Sequence, residues 1–251
     1  MVQPKISLVI PACNEEKYIC PTLESVMQAK QQYEHICSEQ VEIIIVDNNS
    51  TDATTDIARD YGCKVVRFPK HNIAAVRNAG AAQATGEYIA FVDADSSIIP
   101  RDTFLSIHTN LENPCVFGGG SRMRPDTLRK VFGVFGFGLL DLLTYYVLID
   151  LRGLGLVLFY LRKTDFEVMN GFNETLYAFE DGEFGWRMKQ QAKRNNQRLV
   201  HLKKPVIVST RKNQFLSFSQ MWKSYFNMYN TGGVRKKENV YDMLYDVEHL
   251  R

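Results

Sequence analysis

Asp93 and Asp95 stand two residues apart at the end of an apolar run, in IAFVDADS over positions 89–96. Side chains alternate across an extended chain, so the two carboxylates share a face where a buried strand stops. Like charges that close disfavour each other unless something positive lies between them. A hard divalent cation, Mn2+ or Mg2+, resolves the conflict, because such ions take oxygen ligands and are commonly held by one or two carboxylates plus substrate phosphates. A plain strand-ending turn is the alternative, since Asp and Ser bond readily to nearby backbone.

Three further clusters could share in such chemistry. PACNEE, with Pro11, Cys13 and Glu15, follows ISLVIP; DNNSTD, opened by Asp47, follows VEIIIV; and AFEDGEF places Asp181 between Glu180 and Glu183. Asp47 reads either as a ligand acceptor or as a turn residue. Asp181, read from its position alone, is a helix-start carboxylate that complements the dipole. Arg77, in AAVRNAG, offers a guanidinium fork suited to phosphate oxygens, or is an exposed arginine on an amphipathic helix. Gly118–Gly120 permit unusual backbone or a close ligand approach.

The elements that must position these groups alternate in type. Strands are expected at ISLVIP, VEIIIV, CKVVRF and EYIAFV, with helices over 16–30, 52–61 and 72–84 between them. Later strands are expected at CVFGGG and GLGLVLFYLRK, and a helix from the FEDGEF segment. Near-continuous apolar strands separated by helices imply an α/β fold with a mostly parallel central sheet and helices on both faces. In such sheets ligands bind beyond the carboxyl ends of the strands, where three of the four polar clusters fall. No linker or repeat divides the chain. It reads as one domain over 1–251, with a nucleotide-binding half (1–120) and an acceptor-binding half (121–251).

Composition narrows the function. The 251 residues carry a formal charge of +2, and their basic residues occur in short clusters, which argues against nucleic acid as a partner. Five cysteines without a C-x-x-C pair suggest neither a disulfide framework nor a zinc site, so a cytoplasmic location is expected. The opening MVQPKISLVIP lacks the apolar core of a signal peptide.

The motifs VIPACNE, IIIVDNNSTD, VRNAGAAQATGEYIAFVDADS and NGFNETLYAFEDGEFGWRMK, in this order, resemble the family 2 glycosyltransferases of GT-A fold over roughly residues 5–212. That resemblance implies an inverting, metal-dependent enzyme. It would move a sugar from a nucleotide-diphosphate donor, a UDP-sugar, to a hydroxyl of a saccharide or lipid-linked acceptor. It makes Asp93 and Asp95 the D-x-D pair on Mn2+ or Mg2+, with Asp93 also near the ribose. Asp47 becomes the acceptor of the uracil N3–H, and Pro11, Cys13 and Glu15 line base and ribose; relatives often carry tyrosine where Cys13 stands. Arg77 and Arg211 are implied near the diphosphate, and Asp181 is the base that deprotonates the acceptor. Two rivals remain: a sugar nucleotidyltransferase, although PACNEEKYI lacks a glycine-rich basic loop, and a nucleotide-sugar-binding protein without turnover.

Residues 131–149 form a long apolar stretch interrupted by Asp141. A charge at mid-span costs about 2.5–3.5 kcal/mol on insertion scales. One crossing here would also separate Asp93 from Asp181. The stretch therefore reads as a buried or interfacial helix, the latter allowing peripheral contact at the inner face of a membrane.

Overall fold

A computed structural model describes residues 3–94, 97–126 and 157–209. Asp95, Arg211 and the apolar stretch 131–149 lie outside the described residues. The chain starts as expected: β1 (Ile6–Ala12), α1 (Ile19–Cys37), β2 (Val41–Asp47), α2 (Thr54–Asp60), β3 (Lys64–Arg67), α3 (Ile73–Gln83) and β4 (Tyr88–Val92). Then come β5 (Ser97–Ile98), α4 (Thr103–Glu112), β6 (Val116–Ser121) and β7 (Met123–Pro125). After the undescribed stretch follow β8 (Leu158–Arg162), α5 (Lys163–Val168), α6 (Glu180–Arg194), β9 (Arg198–His201) and β10 (Val206–Val208).

Seven strands form the central sheet in the order β3-β2-β1-β4-β8-β6-β9. The first four are mutually parallel, with Ile6 opposite Val41 and Tyr88. β8 runs antiparallel to both β4 and β6, and β6 is parallel to β9. The sheet is therefore mixed around one reversed strand. β4, β6 and β9 still point the same way, so their carboxyl ends share one edge. A second sheet, β5-β10-β7, connects segments that leave that edge.

Each sheet face carries its own apolar layer, which is why the strands read as unbroken apolar runs. Ile6, Leu8 and Ile10 pack against α1 and α4 through Leu23, Val26, Phe104 and Ile107. Val9, Ile44 and Val46 face α3, and a set of six phenylalanines, 91, 117, 159, 166, 172 and 184, fills the space toward α5 and α6. Phe172 and Phe184 stack with centroids 4.1 Å apart. α3 sits so close to the sheet that a Cβ on Gly80 would come within 2.4 Å of Val9 Cγ1.

Helix boundaries differ from expectation for identifiable reasons. α1 begins at Ile19, not 16, because the preceding backbone is bonded to the loop after β2. It runs on to Cys37 because Tyr33, one to two turns beyond Val26 and Ala29, is fully buried and bonds His108 Nδ1 at 2.6 Å. Glycines 118–120 serve strand packing: a Cβ on Gly119 would lie 1.8 Å from the Val200 carbonyl oxygen. Among the described residues, no helix is long and apolar enough to cross a membrane.

Candidate active site

The loops after β1 and β2 hold one another through side-chain bonds to backbone. Asn14 N–H donates to Ser50 Oγ (3.0 Å), and Thr51 N–H to Asn14 Oδ1 (2.8 Å). Glu15 N–H donates to Thr54 Oγ1 (2.8 Å), and Glu16 N–H to Asp52 Oδ2 (3.1 Å). Asn14 and Asn49 both take positive φ, 52° and 66°, a region asparagine tolerates better than most residues. PACNEE and DNNSTD are thus one interlocked unit, with Pro11 buried opposite Val46 and Ala12 opposite Asp47.

Asp47 is almost wholly buried. Its Oδ1 accepts the Ser50 N–H at 2.9 Å, and its Oδ2 lies 4.0 Å from Arg67 Nε. The turn role is therefore real and occupies one oxygen. Glu15 is also buried, while Cys13 is half-buried.

Arg77 lies inside the protein rather than on its surface. It is 6% exposed on α3, and its fork is divided between two carboxylates: Nη1 to Glu180 Oε1 at 2.6 Å and Nη2 to Asp93 Oδ1 at 2.8 Å. Its guanidinium also lies 5.3 Å from the Phe172 ring centroid. A surface role is excluded by this burial, and the fork is engaged by two protein carboxylates. Burial alone would lower its pKa, but Asp93, Glu180 and Asp181 raise it, so Arg77 is a fixed cation.

α3 also fixes the segment that delivers Asp181. Asn72 caps the helix by accepting the Ala75 N–H and donates to the carbonyls of Glu174 and Leu176. Asn78 accepts the Phe172 N–H at 2.8 Å and donates to the Phe172 carbonyl at 2.9 Å. From the other side, Arg187 donates to the carbonyls of Met169 and Gly171 and to Glu183 Oε1, all at 2.7 Å. Phe179, at φ 61°, then turns the chain into α6.

Asp181 lies half-buried in the first turn of α6, where its Oδ1 accepts the Gly182 N–H at 2.7 Å. Burial and the adjacent Glu180 charge push its carboxyl upward, and Arg77 only partly opposes them. The site thus gathers Asp93 from β4, Arg77 from α3, and Glu180 and Asp181 from α6. Three carboxylates around one guanidinium leave an excess of negative charge.

Asp93 is 43% exposed at its side chain, and its Oδ2 has no hydrogen bond among the described residues. That oxygen can serve a cation. No group of three or more metal-ligating side chains occurs among the described residues. A Mg2+-type site shared with substrate phosphates needs only one or two carboxylates. The residues therefore fit the ion. Arg122 and Arg124, at the end of β6 and in β7, are exposed along the same sheet edge.

The family model for glycosyl transferase family 2 matches residues 7–128. That match, to just under half of the chain, makes this segment similar to glycosyl transferase family 2. It includes the interlocked loops, Arg77 and Asp93, but not Asp181. Among curated relatives, the putative glycosyltransferase EpsH of Bacillus subtilis is 38% identical over 105 residues, 40% of this chain and 28% of EpsH. The putative teichuronic acid biosynthesis glycosyltransferase TuaG of the same organism is 33% identical over 132 residues, 49% of this chain and 50% of TuaG. The chain spans half or less of these relatives' length.

The fold resembles that of solved glycosyltransferases. Staphylococcus aureus TarS 1–349, in complex with UDP-GlcNAc, aligns at TM-score 0.60 with 23% identity over 82% of this chain and 58% of TarS 1–349. The mannosyltransferase PcManGT from Pyrobaculum calidifontis, in complex with GDP-Man and Mn2+, aligns at 0.63 with 17% identity over 92% of this chain and 63% of that one. The mixed α/β sheet flanked by helices is theirs as well.

Proposed function

We propose that this chain is an inverting, metal-dependent glycosyltransferase that moves a sugar from a UDP-sugar to an acceptor hydroxyl. The observation that carries the reading is Asp181: a carboxylate with raised proton affinity, brought by α6 to the Arg77–Asp93 pair at the end of β4. A weakly acidic carboxyl is a better base near neutral pH than an ordinary aspartate. Asp181 takes the acceptor hydroxyl proton as that oxygen attacks the anomeric carbon. The bond from carbon to the diphosphate oxygen breaks on the opposite face, and the nucleoside diphosphate leaves with the electron pair. One displacement inverts the centre.

Asp93 and Asp95 would hold Mn2+ or Mg2+, which supplies positive charge for the departing diphosphate. Asp47, with Oδ2 left by its turn bond, would accept the uracil N3–H, beside Pro11, Cys13 and Glu15. Arg77 is a positioning residue in this scheme: it ties Asp93 of the donor side to Glu180, next to the base. The halves 1–120 and 121–251 then correspond to donor and acceptor sides of one domain, and Arg211 is assigned to the leaving group by resemblance alone. The acceptor is a saccharide or lipid-linked hydroxyl. TarS, solved with UDP-GlcNAc, and glucosyl-3-phosphoglycerate synthase of Mycobacterium tuberculosis, solved with Mn2+ and UDP, support a uridine donor and a divalent ion. A dodecaprenyl-phosphate galacturonate synthase among the relatives supports a lipid-linked acceptor.

The test is incubation with a panel of UDP- and GDP-sugars plus Mn2+, read by mass spectrometry of sugar and nucleotide products. Released UDP, dependent on Mn2+ and stopped by chelator, is expected. Pyrophosphate among the products would instead identify a nucleotidyltransferase, and tight binding of a UDP-sugar without turnover would identify a binding protein.

A further inference from the structure

A second site is shaped where the central sheet hands over to the small one. A cavity of about 420 Å3 is lined by Arg122, Met123 and Arg124 on one side and His201, Leu202, Lys203 and Pro205 on the other. That volume falls within the usual range of small-ligand sites. Three permanent cations and an imidazole line it, and among the described residues no carboxylate does. Among the described residues, Lys204 is paired, with Asp102 at 3.0 Å, whereas Arg124 and Lys203 have no acidic partner. Cations gathered on one cavity wall repel one another unless an anion joins them.

The frame around the cavity is rigid. Leu202 N–H donates to the Gly120 carbonyl (2.9 Å) and Val206 N–H to the Arg122 carbonyl (2.9 Å), while Ser121 Oγ donates to the Lys204 carbonyl (3.3 Å). The backbone on both walls is therefore fixed to the same sheet. The cavity also shares an edge with the reaction centre. β4 and β6 point the same way with β8 between them, so Arg122 follows β6 two strand spacings, roughly 10 Å, from Asp93. β10, which leaves the cavity, pairs with β5, the strand directly after the D-A-D segment.

We propose that this cavity binds a phosphate ester carried by the acceptor. The inference rests on the glycosyl-transfer reading for the word acceptor, and on the cavity alone for the anion. The guanidinium fork at 124 suits phosphate oxygens, and Lys203 adds a point charge. The neighbouring Met123, Leu202 and Pro205 give the ester's carbon side an apolar wall. An acceptor held here presents its hydroxyl to Asp181 while its charge stays about two strands away from the donor's diphosphate.

The test uses the full chain with UDP saturating, so that the donor site is filled, and two probes: glycerol 1-phosphate in solution, and vesicles of phosphatidylglycerol in phosphatidylcholine. UDP affinity is measured separately. In Arg124→Gln/Lys203→Gln, binding of the responding probe should fall about tenfold or more, the scale of charged hydrogen bonds, with UDP affinity within about twofold. The charge-retaining pair Arg124→Lys/Lys203→Arg should keep the binding. So should Lys193→Gln/Arg194→Gln, which removes the same charge from the exposed end of α6. Response to the soluble ester alone identifies a free or polymer-borne phosphate, and response to vesicles alone a lipid-borne one. Unchanged binding in Arg124→Gln/Lys203→Gln overturns the site, as does equal loss in the α6 control, which would make the attraction one of net charge. If the cavity variants behave as expected but the intact chain binds no UDP, the glycosyl-transfer reading falls and the anion site stands.

Discussion

Replacing Asp181 by Asn keeps the size of the side chain and an oxygen to accept the Gly182 N–H, and removes only the basicity. Sugar transfer should fall by about 10²-fold or more, the usual scale of general-base catalysis, with donor affinity near that of the parent. The pH dependence gives a sharper check. The carboxyl is raised from an ordinary 3.8 to about 7 by burial and by Glu180. At pH 6 only about a tenth of the molecules then hold the ionised base, and at pH 8 about nine-tenths. The rate should climb nearly tenfold between those values, whereas an unshifted aspartate would give a flat profile. Stability should move the opposite way. A group protonated more readily when folded contributes stability at low pH, and that contribution is lost as pH rises from about 4 through 7. Asp181→Asn carries no such loss, so its melting temperature should exceed the parent's at pH 8, with the difference closing toward pH 5. Single-turnover rates and thermal melts across pH 5–8 measure both. A flat parent profile, or transfer in Asp181→Asn within about threefold of the parent, would refute the base assignment.

Asp47→Ala should weaken UDP more than inorganic pyrophosphate, and, because Asp47 also accepts the Ser50 N–H, should raise protease sensitivity in residues 47–52; calorimetry and limited proteolysis read the two effects. Arg77→Met strands Glu180 in a buried place and frees Asp93, so unfolding in urea should show a loss of about 3–5 kcal/mol, the cost of breaking a buried ion pair. Asp93→Asn should abolish the difference in UDP affinity between Mn2+ and chelator while leaving the melting temperature close to the parent's, since that side chain is 43% exposed.

The first half of the fold was legible because its strands are buried on both faces and its helices are separated from them by polar turns. β1, β2, β3 and β4 fall within a residue or two of their apolar runs. The reversed direction of β8 could not be read, because a fully buried strand has the same composition in either orientation. α4 received no assignment: its apolar residues Phe104, Ile107 and Leu111 do recur at helical spacing, but TFLSIHTNLE was passed over between two polar segments. The two-residue β5 and three-residue β7 and β10 are too short for any periodicity. Within the site, Asp47, Asp93 and Asp181 were singled out by their place at element ends. Arg77 was noticed for its chemistry, but its true partner Glu180 lies 103 residues away, and no local pattern links the two. Asn72 and Asn78, which tie α3 to the 170–178 segment, were missed; an asparagine just ahead of a helical run was the available signal for the first.

The position of β8 has a consequence for how this kind of protein can be cut or recombined. The segment recognised by the family stops at 128, yet the strand that fits between β4 and β6 begins at Leu158. A fragment ending at 128 would lack both β8 and β9, baring one apolar edge of β4 and both edges of β6, an invitation to pair with other chains. The unit that sequence comparison recognises is thus smaller than the unit that can fold. A chimera that grafts a new segment after residue 128 must bring an antiparallel strand for the slot between β4 and β6 and a parallel one for the far side of β6. Swapping whole C-terminal segments is therefore limited first by sheet completion, before any question of chemistry arises.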